Sequence, residues 1–182
     1  MDNSTQAPFP YANLVVDIPD YPEPGVVFKD VTPLIADAQG FAATIDAFAE
    51  HYLGQGITKV VGPEARAWLI GAPLAQRLGV GFVPARKPGK LPREHYSQSY
   101  ALEYGTDELQ IHKDALKPGD KVLVLDDLVA TSGTALACAK LVEQTGAEVA
   151  GFAFLLELAF LNPRQKITET YDKEIFALIK VD

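Results

Sequence analysis

The chain has 182 residues, 48% of them hydrophobic, which is enough apolar side chain for one domain with a buried core. Its formal net charge of −8 argues against nucleic acid as the main partner, because a phosphate backbone needs a basic face. A single cysteine excludes an intramolecular disulfide framework, and His51, His95 and His112 lack metal-ligand spacing. Residues 1–10 carry no signal-peptide pattern and no apolar run is long enough to span a bilayer, so the expectation is a soluble, cytoplasmic protein without a membrane partner.

Residues 1–7 are polar, and residues 1–10 are expected to fray. Pro19, Pro22 and Pro24 exclude regular helix over 18–25. Phe41, Ile45, Phe48, Ala49 and Tyr52 recur at helical spacing and predict a helix over 40–53. A short strand over 59–62 follows, then a helix over 67–78 with Trp68, Ala72, Ala75 and Leu78 on one stripe, then a strand over 81–85. Segments 100–104 and 109–113 flank Gly105-Thr106-Asp107-Glu108 as a hairpin. A buried strand over 122–125 ends at two acids. A helix over 135–142 comes next, with Cys138 packed inside it, and the final strands lie near 148–157 and 174–180. Strands alternating with helices predict an α/β fold, a mostly parallel sheet with helices on both faces. No linker or repeat divides the chain, so residues 1–182 read as a single domain. Ligands of such sheets bind at the carboxyl ends of the strands.

The chemistry-bearing residues fall at those ends. Asp126 and Asp127 are followed by Leu128-Val129-Ala130-Thr131-Ser132-Gly133-Thr134 and a helix start. Backbone N–H groups and the helix dipole there favour a phosphate, and the hydroxyls of Thr131, Ser132 and Thr134 can donate further hydrogen bonds. Paired carboxylates accept hydrogen bonds from vicinal hydroxyls. A phosphate cradle beside a diol clamp describes a ribose 5-phosphate. Neither a Walker loop nor a GxGxxG loop is present. Glu64-Ala65-Arg66 ends the strand over 59–62 with a planar cation suited to phosphate oxygens. Arg86, Lys87, Lys90 and Arg93 follow the strand over 81–85, around Pro88, Gly89 and Pro92, as a second anion-facing loop.

Residues 126–134 closely resemble the phosphoribosyl pyrophosphate signature of the type I phosphoribosyltransferases. Together with Gly25-Val26-Val27-Phe28-Lys29-Asp30-Val31-Thr32-Pro33-Leu34, Glu64-Ala65-Arg66, Arg86-Lys87-Pro88-Gly89-Lys90-Leu91-Pro92 and Ser99-Tyr100-Ala101-Leu102-Glu103-Tyr104-Gly105, they are similar to the adenine phosphoribosyltransferase family. The resemblance runs over about residues 15–180. It implies that family's fold, with a small N-terminal hood over 15–35 and a mobile β-hairpin. It also implies a homodimer that moves a 5-phosphoribosyl group from phosphoribosyl pyrophosphate to N9 of adenine in purine salvage. Ala130, Thr131, Ser132, Gly133 and Thr134 would then hold the 5-phosphate, and Asp126 and Asp127 the ribose hydroxyls. Glu64, Ala65, Arg66, Arg86, Lys87 and Lys90 would face the pyrophosphate, whose Mg²⁺ is chelated by the substrate and not by the protein alone. Phe28 would stack on the base, with the backbone of Val27 and Lys29 at its edge. Glu103 would take the N9 proton, Arg66 would assist catalysis and Tyr104 would belong to the lid.

The chain departs from the family at three places. Ser132 replaces a usual glycine, at a cost of roughly 1–2 kcal/mol if the backbone there is left-handed. Ala67-Trp68 replaces glycine and phenylalanine and adds bulk near the pyrophosphate loop. Lys29 replaces a frequent arginine and cannot offer a bidentate side-chain contact. Two rivals stay open: a 6-oxopurine phosphoribosyltransferase acting on hypoxanthine, guanine or xanthine, and a sensor that binds phosphoribosyl pyrophosphate without turnover. The acidic charge and the lack of room for a DNA-binding module weigh against the sensor.

Overall fold

A computed structural model describes residues 9–101 and 105–182, which fall into two units divided between Thr44 and Ile45. In the first unit a 3-10 turn (Ala12–Leu14) leads into β1 (Val16–Pro19), which pairs antiparallel with β2 (Val27–Asp30), Val16 opposite Asp30 and Pro19 opposite Val27. The proline-rich stretch is the loop between these strands. It turns at Asp20, with φ 56°, whose Oδ1 accepts the Gly25 N–H at 2.8 Å. Asp30 Oδ1 accepts the Thr32 N–H at 2.9 Å at the start of α1 (Thr32–Ala36). This helix was not expected, since five residues are too few to show a period. Helix α2 (Ala38–Tyr52) carries the chain across the boundary in sequence.

The second unit is built on a five-stranded sheet in the order β4-β3-β7-β8-β9, every pairing parallel. Its strands are β3 (Lys59–Pro63), β4 (Gly81–Ala85), β7 (Lys121–Val129), β8 (Glu148–Leu158) and β9 (Glu174–Val181). Helix α3 (Arg66–Leu78) packs on β3, β4 and β7, while α4 (Gly133–Gln144) packs on β7 and β8. Strand β7 is buried from Val122 to Leu125 without alternation, the pattern of a parallel strand covered on both faces. On one face Val122, Val124, Phe152 and Phe154 share a core with Cys138, Leu141 and Val142 of α4. The predicted α/β architecture is therefore present. No described helix is long and apolar enough to cross a membrane.

Two expectations are corrected. Strand β7 does not stop at residue 125: it continues through both acids to Val129, because Leu128 and Val129 keep register with Leu156 and Glu157 of β8. The hairpin also lies earlier in the chain, pairing β5 (His95–Ala101) with β6 (Thr106–His112) and Ala101 with Thr106. Thr106, Asp107 and Glu108, expected in the turn, are strand residues. The register follows from period-two burial, with Tyr96 and Tyr100 against the core and Ser97 and Ser99 outward. Leu102, Glu103 and Tyr104, expected to complete a strand and the lid, lie outside the described residues. A short helix, α5 (Pro163–Thr168), follows a left-handed Asn162 and was not expected.

Cys138 has 0% exposure, and burial, then the nearby Asp126 charge, pushes its thiol far above the ordinary range. An aromatic disulfide reagent at pH 7.5 is expected to label no thiol in the folded protein and the single cysteine after addition of denaturant. Rapid labelling of the native chain would show that the thiol is accessible after all.

Candidate active site

Because β3 and β7 are parallel neighbours, their carboxyl ends lie at the same edge of the sheet. The two following loops enclose a cleft of about 480 Å³ in the second unit. Residues 63–66 form one wall, residues 126–135 the other, and Lys87, Tyr100 and Leu109 complete it.

The phosphate-type loop is held by its backbone. Ser132 is left-handed, with φ 68° and ψ −3°, and caps α4 through its carbonyl, which accepts the Leu136 N–H at 2.9 Å. Its hydroxyl, expected to face the anion, is buried instead and donates to the Pro163 carbonyl at 2.7 Å. The hydroxyl-bearing residues that line the cleft beside it are Thr131 and Thr134. Gly133 is needed for space, since a Cβ there would lie 3.1 Å from the Ala101 carbonyl and 3.3 Å from Cδ2 of Tyr100. The loop and the root of the hairpin are thus in direct contact.

The paired acids enter the cleft wall from β7. Asp127 is 6% exposed at its side chain, and its Oδ2 lies 2.7 Å from Nε of Arg66, the first residue of α3. Asp126 accepts the Asp127 N–H at 2.9 Å. Burial, and next the charge of Asp127, push the Asp126 carboxyl well above the ordinary carboxylate range, with Arg66 acting weakly the other way.

The second basic loop divides. Lys87 lines the cleft, whereas Arg86 and Lys90 do not. Arg86 donates from Nε to Glu64 Oε2 at 2.8 Å and lies 5.2 Å from the Trp68 ring centroid. Trp68 in turn donates to the Gly62 carbonyl at 3.0 Å. The added bulk of Ala67-Trp68 therefore supports Arg86 and the end of β3, and Trp68 is not among the residues lining the cleft. Lys87 donates to Asp107 and, at 3.4 Å, to the Tyr100 hydroxyl, which itself donates to Asp107 Oδ2 at 3.1 Å. Burial alone would lower the Lys87 ammonium, but its hydrogen bonds to Asp107 and Tyr100 outweigh that and raise it. Sequence reasoning missed Asp107, because nothing in its spacing separates it from any other hairpin acid.

Val27, Phe28 and Lys29 belong to the first unit, where the Phe28 ring meets Tyr21 edge-on at 5.3 Å and Lys29 Nζ pairs with Asp17 at 2.7 Å. Among the described residues no three His, Cys, Asp or Glu side chains gather as metal ligands.

Comparison with known proteins agrees with this geometry. The family model of the phosphoribosyl transferase domain matches residues 34–181. The chain is 59% identical over 151 residues, 83% of each chain, to the adenine phosphoribosyltransferase of Aeromonas salmonicida (strain A449). It superposes on the crystal structure of adenine phosphoribosyltransferase from Thermoanaerobacter pseudethanolicus with a TM-score of 0.89 and 50% identity, covering 93% of this chain and 96% of that one. The Saccharomyces cerevisiae adenine phosphoribosyltransferase, solved with D-2,5-dideoxy-2,5-imino-altritol 1,6-bisphosphate and adenine, is similar at a TM-score of 0.85 and 39% identity, over 91% and 94% of the two chains.

The buried acids predict a pH signature. A carboxyl whose folded value is raised contributes most to stability below its unfolded value of 3.8, and that contribution is lost as pH rises through the folded value. Asp126→Asn, which keeps an acceptor for the Asp127 N–H, removes this loss. The variant is expected to melt above the wild type at pH 7.5, with the gap narrowing as pH falls toward 4. A variant that melts lower at pH 7.5 would contradict the assigned shift.

Proposed function

The chain belongs to the adenine phosphoribosyltransferase family and has its type I phosphoribosyltransferase fold, and on that premise we propose how its cleft performs the reaction. The activity is transfer of a 5-phosphoribosyl group from phosphoribosyl pyrophosphate to N9 of adenine, giving AMP and pyrophosphate. The observation that carries this reading is the meeting, in one cleft, of a left-handed phosphate loop at a helix N-terminus with a buried acid pair bridged to an arginine.

In this reading the N–H groups opening α4, with Thr131 and Thr134, hold the 5-phosphate. Asp126 and Asp127 meet the ribose hydroxyls, and the Asp127 carboxylate, paired with Arg66, favours the cationic sugar that forms as the anomeric C–O bond breaks. Arg66 and Lys87 meet the charge growing on pyrophosphate, already oriented by Asp127 and by Asp107. Arg86 acts through Glu64, and Lys90 through the loop whose carbonyl faces Arg86. Mg²⁺ chelated by the substrate would lower the charge of the leaving group. Asp126, held toward its protonated form, and Asp127, taken by Arg66, suit hydroxyl recognition better than holding a metal alone.

By family resemblance Phe28 stacks on adenine and the backbone of Val27 and Lys29 reads its edge. The Lys29 ammonium is engaged by Asp17, so the loss of an arginine fork there changes a side chain already committed within the β1–β2 pair. Glu103 takes the N9 proton and Tyr104 belongs to the closing lid by the same resemblance. A homodimer in the cytoplasm completes the reading, and sedimentation should give twice the mass of one chain.

The test is pyrophosphate release from Mg²⁺ and phosphoribosyl pyrophosphate with adenine, hypoxanthine, guanine and xanthine supplied separately. Release with adenine alone is expected. Release with an oxopurine would move the base assignment, and none with any base, despite binding, would make the protein a sensor. Glu103→Gln should lower kcat about a hundredfold or more while KM for both substrates changes little. Native turnover in that variant would give the proton to another group.

A further inference from the structure

Ser132 combines two features that rarely meet. Its backbone is left-handed, a conformation that disfavours a side chain, yet its hydroxyl is buried and bonded at 2.7 Å to the carbonyl of Pro163. A serine hydroxyl has many possible partners, and this one is itself clamped. Pro163 is buried at the start of α5, directly after the left-handed Asn162. The next residue, Arg164, donates from Nε and Nη2 to Glu157 at 2.8, 3.0 and 2.8 Å and from Nη1 to the Ile175 carbonyl at 2.9 Å. Glu157, near the end of β8, is only 3% exposed at its side chain, so its charge is committed to this fork. The guanidinium thus ties β8, β9 and the start of α5 into one rigid corner. The Pro163 carbonyl is where that corner accepts a side-chain hydrogen bond from the phosphate loop.

We propose that Ser132 is a positioning residue for the 5-phosphate. In this arrangement the buried Glu157–Arg164 pair fixes the loop through the Pro163 carbonyl and the Ser132 hydroxyl. The proposal rests on the reading that this loop binds the 5-phosphate. A glycine would adopt the same backbone more easily, but it would leave the loop without the clasp. With serine, the N–H groups of Gly133 and Thr134 are held from behind by a bond that does not involve the ligand. Neither Glu157 nor Arg164 lines the cleft; the Glu157 backbone keeps register with Val129 whatever its side chain does, so the side-chain fork is linked to the loop through the Pro163 carbonyl and the Ser132 hydroxyl.

The experiment is calorimetric titration of Mg²⁺–phosphoribosyl pyrophosphate into wild type, Ser132→Gly, Ser132→Ala, Arg164→Gln and the Arg164→Gln/Ser132→Gly double variant. Circular dichroism would verify the fold of each, and steady-state kinetics would accompany the titrations. Ser132→Gly relieves the backbone and should fold, yet it is expected to bind about tenfold more weakly, with KM raised and kcat within about twofold. Ser132→Ala should lose at least as much. Arg164→Gln should weaken binding about threefold or more in the wild-type background and hardly at all in the Ser132→Gly background, because both changes cut the same connection. Wild-type affinity in Ser132→Gly would overturn the proposal, as would an equal Arg164→Gln loss in both backgrounds. In either case the wild type would still bind, leaving the assignment of the loop intact. Wild-type protein that fails to bind the substrate at all would instead remove that assignment and the proposal with it.

Discussion

Burying two carboxylates on adjacent residues of a strand costs free energy that only a cation, a hydrogen bond or a proton can offset, and β7 does this with Asp126 and Asp127. The offsets account for much of the cleft. Arg66 stands at the first position of α3, where the helix dipole disfavours a positive charge, and the buried Asp127 opposite makes that position tenable. Asp126 has no such cation of its own and accepts the Asp127 N–H, so its carboxyl drifts toward the neutral form. The two acids are therefore held differently, Asp127 by the Arg66 guanidinium and Asp126 by its neighbour's N–H. The extension of β7 beyond its apolar stretch makes this possible, because register with β8 carries both residues into the sheet edge.

The same logic organises the cations. Arg66, Arg86 and Lys87 are each paired with an acid: Asp127, Glu64 and Asp107. In a chain of net charge −8 these pairs keep the guanidinium and ammonium groups oriented before any anion arrives. Preorganised charge is worth more to a reacting anion than charge that must first be gathered. The pairs are not equivalent, however. Those of Arg66 and Lys87 border the cleft, whereas Arg86 lies behind Glu64 and against Trp68, so it shapes the wall instead of facing into it.

What could be read from the sequence was whatever depends on neighbours along the chain. The continuous apolar runs of β7 and β8 and the acid-loop-helix order follow from local spacing and are present. Helix α3 is present too, but its buried face is Ala67, Ile70, Gly71, Leu74 and Ala75; of the expected stripe Ala72 is exposed while Trp68 and Leu78 are half-buried, because Trp68 turns to the Gly62 carbonyl and Arg86. The side chains that differ from expectation answer to partners far away in sequence. Ser132 turns to a carbonyl 31 residues on, and Asp107 meets an ammonium 20 residues back. Gly105-Thr106-Asp107 has the composition of a turn, yet pairing with β5 draws Thr106 and Asp107 into a strand. Helices α1 and α5, with five and six residues, are shorter than any window in which a period shows.

The long-range contacts also explain why the hairpin belongs to the site at all. Its register from His95–His112 to Ala101–Thr106 places Tyr100 and Asp107 opposite each other, and Lys87 joins both. On the other side the Ala101 carbonyl and the Tyr100 ring crowd the position where Gly133 lacks a side chain. The root of the hairpin is therefore locked to the basic loop by charge and to the phosphate loop by contact. The contact at Gly133 and the charge of Lys87 thus hold the described strands of the hairpin against the cleft from two sides.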